Sequence, residues 1–286
     1  MTALELVAGE LDAPVERQVS EMAAAIAAKY GAASRAVLFY GSCLREKQFD
    51  GLMLDFYLIV SDYKAAYDRR WLAAANRLIP PNVFPFAYGG MAAKYAVLSE
   101  ADFARLCGPD ADTVSVWARF AQPSRLVWAS DDDARAGILI AVGRAASTLL
   151  RLARPMVDGD TLAIWKRGFE LTYAAEMRAE SNARPGAVVD ADPNRYEQMA
   201  GAIQIEPMTR PEAERRWAGL RRRGKIMSVL RLAKATATFA GGIDYLAWKI
   251  NRHAGTAIVI KPWQRRYPIL AGIALLPQLL RSGAVR

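Results

Sequence analysis

Histidine is nearly missing from this chain: His253 stands alone among 286 residues, and there are only two cysteines, Cys43 and Cys107. A Ser-His-Asp hydrolase, a His-rich metal centre and a zinc deaminase are all disfavoured by that shortage. Two thiols build neither a disulfide framework nor a zinc cluster, so a reduced, cytosol-facing protein is expected. The first sixteen residues carry several acids and no Arg before Arg17. That fits neither a secretory signal nor an Arg-rich, acid-poor transit peptide. No apolar run reaches the roughly 18 residues that mark a membrane-spanning helix. The nearest candidate, 267–280, is too short and is broken by Pro268 and Pro277. A peripheral rather than a spanning relation to any membrane follows as an expectation.

What is present argues for a real core. Hydrophobic residues make up 53% of the chain and aromatics 9%, which excludes a disordered polymer. The length allows two domains, or one with an appendage. The net charge of +9 is unevenly spread. Residues 215–286 hold 15 Lys/Arg and one acid, Asp244, for +14, whereas the preceding 214 residues carry −5. A cationic C-terminal region on a mildly acidic body points to an anionic surface as partner. The Ala- and Arg-rich composition is that of a bacterial cytoplasmic protein.

The most informative stretch is Val37-Leu38-Phe39-Tyr40-Gly41-Ser42 followed by Leu52–Val60. It predicts an apolar strand, a Gly-Ser turn and a second apolar strand interrupted once, by Asp55. A carboxylate in a strand covered on both faces costs several kcal/mol, on the order of a lost buried polar group, unless a cation meets it. Nucleotidyltransferases of the DNA polymerase β type are built in this way. The turn sets backbone N–H groups and a hydroxyl against a triphosphate, with Gly permitting close approach. The next strand holds acids on a metal. Two acids ordinarily alternate as Asp-x-Asp so that both face one way; here the second position is Tyr57, a residue expected in the core.

Around this motif the pattern predicts a helix from Asp12-Ala13-Pro14 to Tyr30 stopped by Gly31, and a helix from Asp62 to Leu78 ended by Pro80-Pro81. It predicts a hairpin of 84–88 and 92–98 turned by Gly89-Gly90, and a helix opened by Ser99 with Asp102. A strand at 125–129 and a helix from Ser130-Asp131-Asp132-Asp133 to Arg154 follow. The expected fold class is thus an α/β (α+β) nucleotidyltransferase-like domain, a mixed sheet with flanking helices, over residues 1–130. A mostly helical domain over 131–214, looser near Pro185–Pro193, contributes to the cleft, and basic C-terminal helices occupy 215–286.

Tyr40-Gly41-Ser42 with Met53-Leu54-Asp55-Phe56 resembles the mitochondrial-type CDP-diacylglycerol synthase family, also called the mitochondrial translocator assembly and maintenance family. That family has Tyr-Gly-Ser-Gly followed by a strand with a single Asp. Ala93-Lys94-Tyr95-Ala96-Val97-Leu98-Ser99 is similar to its Lys-Tyr-Gly-Val-Ile-Ser. Leu171-Thr172-Tyr173-Ala174-Ala175-Glu176-Met177-Arg178 is similar to its Leu-Ser-Tyr-Ser-Gly-Asp-Phe-Arg, and 235–242 to a C-terminal Lys-Gly-Ile-Phe-Thr-Ala-Gly region. Cys43 stands where the family has Gly, and Glu176 where it has Asp.

The resemblance implies a phosphatidate cytidylyltransferase that joins CTP to phosphatidate, giving CDP-diacylglycerol and pyrophosphate with Mg2+. It implies Asp55 on the metal with Glu176 as second acid, Lys94 and Arg178 on phosphates, and Tyr40, Gly41 and Ser42 as the triphosphate cradle. A phosphomonoester is largely dianionic near neutral pH, its second pKa being about 6, and needs no general base to attack. A chain almost without His can therefore catalyse this step by positioning and charge neutralisation.

Arg221, Arg222, Arg223 and Lys225, with Trp217, Trp248, Trp263 and Tyr267 among the cations, suit the headgroup level of an anionic bilayer. The expected location is the cytoplasmic face of the membrane, with no stable nucleic-acid partner, since interleaved Leu, Ile and Trp fit an interface better than a groove. Three alternatives stand beside this: an Arg-rich helix packed on the acidic body, a soluble nucleotidyltransferase acting on RNA, protein or a small molecule, and an inactive scaffold that binds membrane or nucleic acid.

Overall fold

Apolar residues occupy both parities of the strands flanking Gly41, so the sheet they form must be covered on both faces. The computed structural model describes residues 1–46, 53–176, 186–238 and 259–266. Strands β1 (Ser34–Tyr40), β2 (Met53–Val60), β3 (Asn82–Tyr88), β4 (Met91–Ser99) and β5 (Ser124–Ala129) form one mixed sheet in the order β3-β4-β2-β1-β5. β2 and β4 run parallel; the other neighbours are antiparallel.

Val37, Phe39, Leu54, Phe56, Leu58 and Val60 point to one face, under helix α2 (Arg17–Ala28). Ala36, Leu38, Tyr57, Ile59, Ala96 and Leu98 point to the other and merge with a helical core. That core contains α1 (Ala3–Asp12), α6 (Glu100–Cys107), α7 (Trp117–Phe120), α8 (Asp132–Ala153), α9 (Thr161–Ala175), α11 (Pro193–Ala202) and α12 (Arg210–Thr238). Short helices α3 (Ser42–Glu46), α4 (Tyr63–Ala66), α5 (Arg70–Leu78), α10 (Ala187–Asp190) and α13 (Pro262–Arg266) complete the described chain. The expected mixed sheet with flanking helices, followed by helices, is what the chain adopts.

Local signals account for most boundaries. The Ser99 hydroxyl accepts the Asp102 N–H at the start of α6, and Asp131 accepts that of Ala134 at the start of α8. The β3–β4 hairpin turns through Gly89-Gly90 as expected. Asp12 is a correction: it ends a helix rather than opening one. Thr2 and Glu5 form a reciprocal capping box, and α1 begins there instead. The single helix expected from Asp62 to Leu78 is broken at Tyr67, whose extended backbone turns its ring inward against Tyr30 and Phe84.

Helix α8 with the turn after it, 132–156, is long and apolar enough by length and composition to cross a bilayer, although its most apolar window is 56% buried. Ile138, Val142, Leu149 and Leu152 lie in the core, and the helix packs against α1, α6, α7 and α9. It is the central strut of the helical half.

The basic region begins differently from expectation. The division at 214 falls inside α12, which runs back over the core. Trp217 is corrected from an interfacial to a core residue: it is 1% exposed, its Nε1 donates to the Leu152 carbonyl at 2.9 Å, and its ring meets Trp117 edge-on at 6.0 Å. Arg216 donates to the carbonyls of Pro109 and Ala111 at 3.0 and 2.7 Å. The alternative of an Arg-rich helix packed on the acidic body describes this inner side of α12. Its inward stripe is Ala213, Trp217, Leu220, Gly224, Met227, Arg231 and Lys234, buried except for the partly buried Arg231 and spaced alternately by four and three residues. At Gly224 the helices touch so closely that a Cβ would lie 2.3 Å from the Ala175 carbonyl oxygen of α9.

Gly224→Val forces α12 away from α9 and is expected to destabilise the fold by about 1–3 kcal/mol, the usual cost of overpacking. Urea unfolding monitored by circular dichroism measures this; an unchanged midpoint contradicts the close crossing.

Candidate active site

A single row of residues crosses the sheet where β1 ends. Antiparallel pairing sets Tyr40 opposite Asp55, and parallel pairing sets Asp55 beside Lys94. Alternation gives Asp55 the same face as Tyr57 and Ile59, and gives Lys94 that of Ala96 and Leu98. This is the face covered by the helical core. At the level of Asp55 the cover withdraws, leaving a cavity of about 390 Å³.

The sheet side of the cavity carries Tyr40, Gly41, Ser42, Asp55, Tyr57 and Lys94. Gly41 has φ +98, and a Cβ there would stand 3.2 Å from Asp55 Oδ2. Both facts demand glycine: the backbone conformation is left-handed and the chain passes against the carboxylate. Lys94 Nζ is 3.1 Å from Asp55 Oδ1. The contact is ionic rather than a directed hydrogen bond, since that buried oxygen accepts none. The buried-carboxylate argument from sequence is thus met by Lys94.

The opposite wall is cationic and comes from elements distant in sequence. Arg119 of α7 and Arg231 and Lys234 of α12 line it, with Ser115, Gln122 and Tyr173. Arg231 Nε donates to the Pro80 carbonyl at 2.7 Å. Lys234 Nζ donates to the carbonyls of Ile79 and Pro81, the latter at 2.8 Å. Arg119 donates to the Ser115 carbonyl. Four cations therefore surround a cavity whose lining includes one carboxylate.

Burial shifts these groups in opposing ways. Burial alone lowers the Arg119 pKa, but Glu176, Tyr57, Tyr40 and Asp55 outweigh it and the guanidinium is held charged. Arg231 is lowered by burial, only partly offset by Glu176 and Tyr57. Lys234 is lowered to about 7 by burial and by Arg231. The hydroxyls of Tyr40 and Tyr57 are raised by burial, so both remain protonated donors.

Of the residues expected at the site, Tyr40, Gly41, Ser42, Asp55 and Lys94 converge. Glu176 is not among the residues that line the cavity. It is 8% exposed, and its Oε1 lies 3.7 Å from Arg119 and 4.0 Å from Arg231, so its charge is occupied in fixing two guanidinium groups. Arg178 and Trp248 lie outside the described residues, as does part of the C-terminal resemblance. Arg221, Arg222, Arg223 and Lys225 are exposed on α12, although Arg223 pairs with Asp112 at 2.6 Å. Trp263 is 45% exposed on α13. Arg119, Arg231 and Lys234 had not been singled out. A signal did exist for the latter two: cations at core positions of an amphipathic helix.

Among the described residues no cluster of three or more His, Cys, Asp or Glu is placed to hold a metal by itself. A magnesium ion held by one carboxylate and by substrate phosphates is a different arrangement. Asp55, which lines the cavity beside Gly41 and Ser42 with its Oδ2 free of the Lys94 contact, fits that one.

No family model and no curated protein matches the sequence. Among solved structures, the chain is similar to a nucleotidyltransferase-like protein from Exiguobacterium sibiricum 255-15, at 13% identity and a TM-score of 0.29 over 93% of this chain and 92% of that one.

Lys234 gives a pH-dependent prediction. Its folded pKa of about 7 lies below its ordinary 10.5, so between those values the unfolded chain binds more protons and this residue makes stability rise with pH. A bound polyanion restores the charge. Binding of a nucleoside triphosphate at pH 8 is therefore expected to take up a proton, seen in calorimetry as an enthalpy that varies with the buffer's ionisation heat. Lys234→Met removes that dependence.

Proposed function

We propose that this protein is a nucleotidyltransferase that moves CMP from CTP to phosphatidate, releasing pyrophosphate, at a membrane surface. The observation that carries the reading is the lone carboxylate of Asp55 in a cavity walled by Lys94, Arg119, Arg231 and Lys234. Such a site suits two phosphate-bearing reactants better than a neutral acceptor. Four cations offset the charge of a triphosphate and of a phosphomonoester brought together, which would otherwise repel each other.

The residues divide the work by position. Gly41 lets the chain pass close to the nucleotide's phosphates, and Ser42 offers a hydroxyl beside it. Lys94 neutralises the same phosphates from β4. Arg231 and Lys234 face them across the cavity and hold the acceptor phosphate. Arg119 lies close to Tyr40 and Tyr57 and steadies charge as it shifts toward the leaving group. The acceptor brings its own nucleophile: a phosphate oxygen bonds to the α-phosphorus as the bond to the β-phosphate breaks, and the electron pair leaves with pyrophosphate. Magnesium held by Asp55, when bound, neutralises charge on the phosphates of the leaving group.

The support for phosphatidate and CTP in particular is the resemblance at Tyr40–Ser42, Asp55 and Lys94, together with the exposed Arg221, Arg222 and Lys225 on the same helix, α12, that carries Arg231 and Lys234. Incubation with labelled CTP, magnesium and phosphatidate vesicles tests it. Label is expected in the organic phase only when phosphatidate and magnesium are present, and Asp55→Asn is expected to lower the rate about a hundredfold or more. Full activity in that variant, or label passing only to water-soluble acceptors, overturns the proposal.

A further inference from the structure

Helix α5 is held to the body by one side and presents an unusual surface on the other. Its inner residue Asn76 is fully buried and donates to the Val97 carbonyl at 2.9 Å. Asn76 also accepts the Asn82 N–H, while the Asn82 amide donates to the Leu72 carbonyl at 3.0 Å. A helix pinned in this way cannot rotate to hide its outer face. That face consists of Arg70, Trp71, Ala74, Arg77 and Leu78, all exposed, with Trp71 at 44% and Leu78 at 73%. Spacings of four, seven and eight residues place them along one stripe.

The stripe continues onto α12. Arg77 and Leu78 share a small crevice with Arg223 and Met227. One residue further around α12 run Arg222, Ile226 and Leu230, four apart, with Ile226 at 55% and Leu230 at 39% exposure, and Lys225 beside them. Large apolar side chains exposed in a row, each flanked by Arg or Lys, form a surface of one kind: apolar groups that leave water while cations remain at its edge.

We infer that the outer face of α5, together with the Arg222–Leu230 side of α12, is a docking surface for an anionic lipid bilayer, with Trp71, Leu78, Ile226 and Leu230 entering the interface and Arg70, Arg77, Arg222 and Lys225 meeting the headgroups. The occupant is argued from charge. These cations outnumber Asp68 and Asp112, the acids beside them, and Asp112 is already paired with Arg105 and Arg223. Trp and Leu alternating with Arg favour a headgroup boundary over the phosphates of a nucleic-acid groove.

This deepens the proposed function and rests on it in one respect, that the acceptor is a lipid. The surface is joined to the cavity by a short path. Leu78 is followed by Ile79, Pro80 and Pro81, whose carbonyls receive Arg231 and Lys234, and Pro81 itself lines the cavity. A bilayer held on α5 and α12 thus lies at the outer end of the segment that forms the cavity wall.

The test is sedimentation of the full chain with phosphatidylcholine vesicles, with and without phosphatidylglycerol. The wild-type chain is expected to bind only the anionic vesicles. The pair Trp71→Ser and Leu78→Ser is expected to weaken that binding at least tenfold, and the pair Arg70→Glu and Arg77→Glu to abolish it. Arg210→Glu, the same substitution made once at the far end of α12, leaves it intact. Thermal melting establishes that each variant is folded, and transfer to a water-soluble short-chain phosphatidate is expected to be unaltered in all of them. If that transfer is absent from the wild-type chain while anionic vesicles still bind through α5, the transferase reading fails and the docking surface stands. Vesicle binding unaffected by both pairs overturns the docking surface. So does a short RNA that binds through these residues while vesicles do not.

Discussion

The carboxylate of Glu176 between the guanidinium groups of Arg119 and Arg231 is the interaction on which the site depends. It joins the end of α9, the short helix α7 and the long helix α12 at the edge of the cavity. Removing one member of a buried ion cluster leaves a charge without compensation, at a cost of about 3–5 kcal/mol. The geometry is reinforced from both sides. Gly224 lets α12 reach the Ala175 carbonyl, one residue before Glu176, while Arg231 and Lys234 are tied to the carbonyls of Ile79–Pro81. The cations facing the cavity are consequently fixed before any ligand arrives, and reorganise little when one does.

The sheet supplies the opposite half by register. Tyr40, Asp55 and Lys94 come from three adjacent strands and meet because their pairing puts them in one row with one parity. Two residues beyond Asp55, on the same face, Tyr57 occupies the position where a second acid would stand. Its protonated hydroxyl lies within the fields of Arg119 and Arg231. A second carboxylate there would form ion pairs with those guanidinium groups and cancel the field that attracts phosphate. The single Asp and the cationic wall are therefore two aspects of one arrangement, in which arginine and lysine supply the positive charge facing Asp55.

Much of this was legible in the sequence, and what was not has a physical reason. The strand, Gly41 turn and second strand with its lone Asp55 are local patterns, and side-chain alternation alone predicts which residues share a face. Ser99 and Asp131 announce their helices through hydrogen bonds that span three residues. The pairing of Glu176 is not visible in the sequence because its neighbours in space, Arg119 and Arg231, are each more than fifty residues away along the chain. Trp217 was taken for an interfacial residue because composition reports the charge around it and not its position on the helix. The alternating spacing from Ala213 to Lys234 contained the correction: it places Trp217, Arg231 and Lys234 on one inward stripe and leaves Arg222, Lys225 and Ile226 outside.

That division gives α12 two faces with different tasks. Inward cations in a poorly solvated wall repel one another, and Lys234 relieves the repulsion by giving up its proton near neutrality. A polyanion in the cavity favours the protonated form, so it is bound more tightly as the pH falls toward 7, and it stabilises the helix that carries the wall. Outward cations meet no such penalty, because water screens them until an anionic surface displaces it. Both sets sit on one rigid helix clamped to the Ile79–Pro81 segment, and α5 ends where that segment begins. Contact at the outer face and charge compensation at the inner one therefore act on the same few residues.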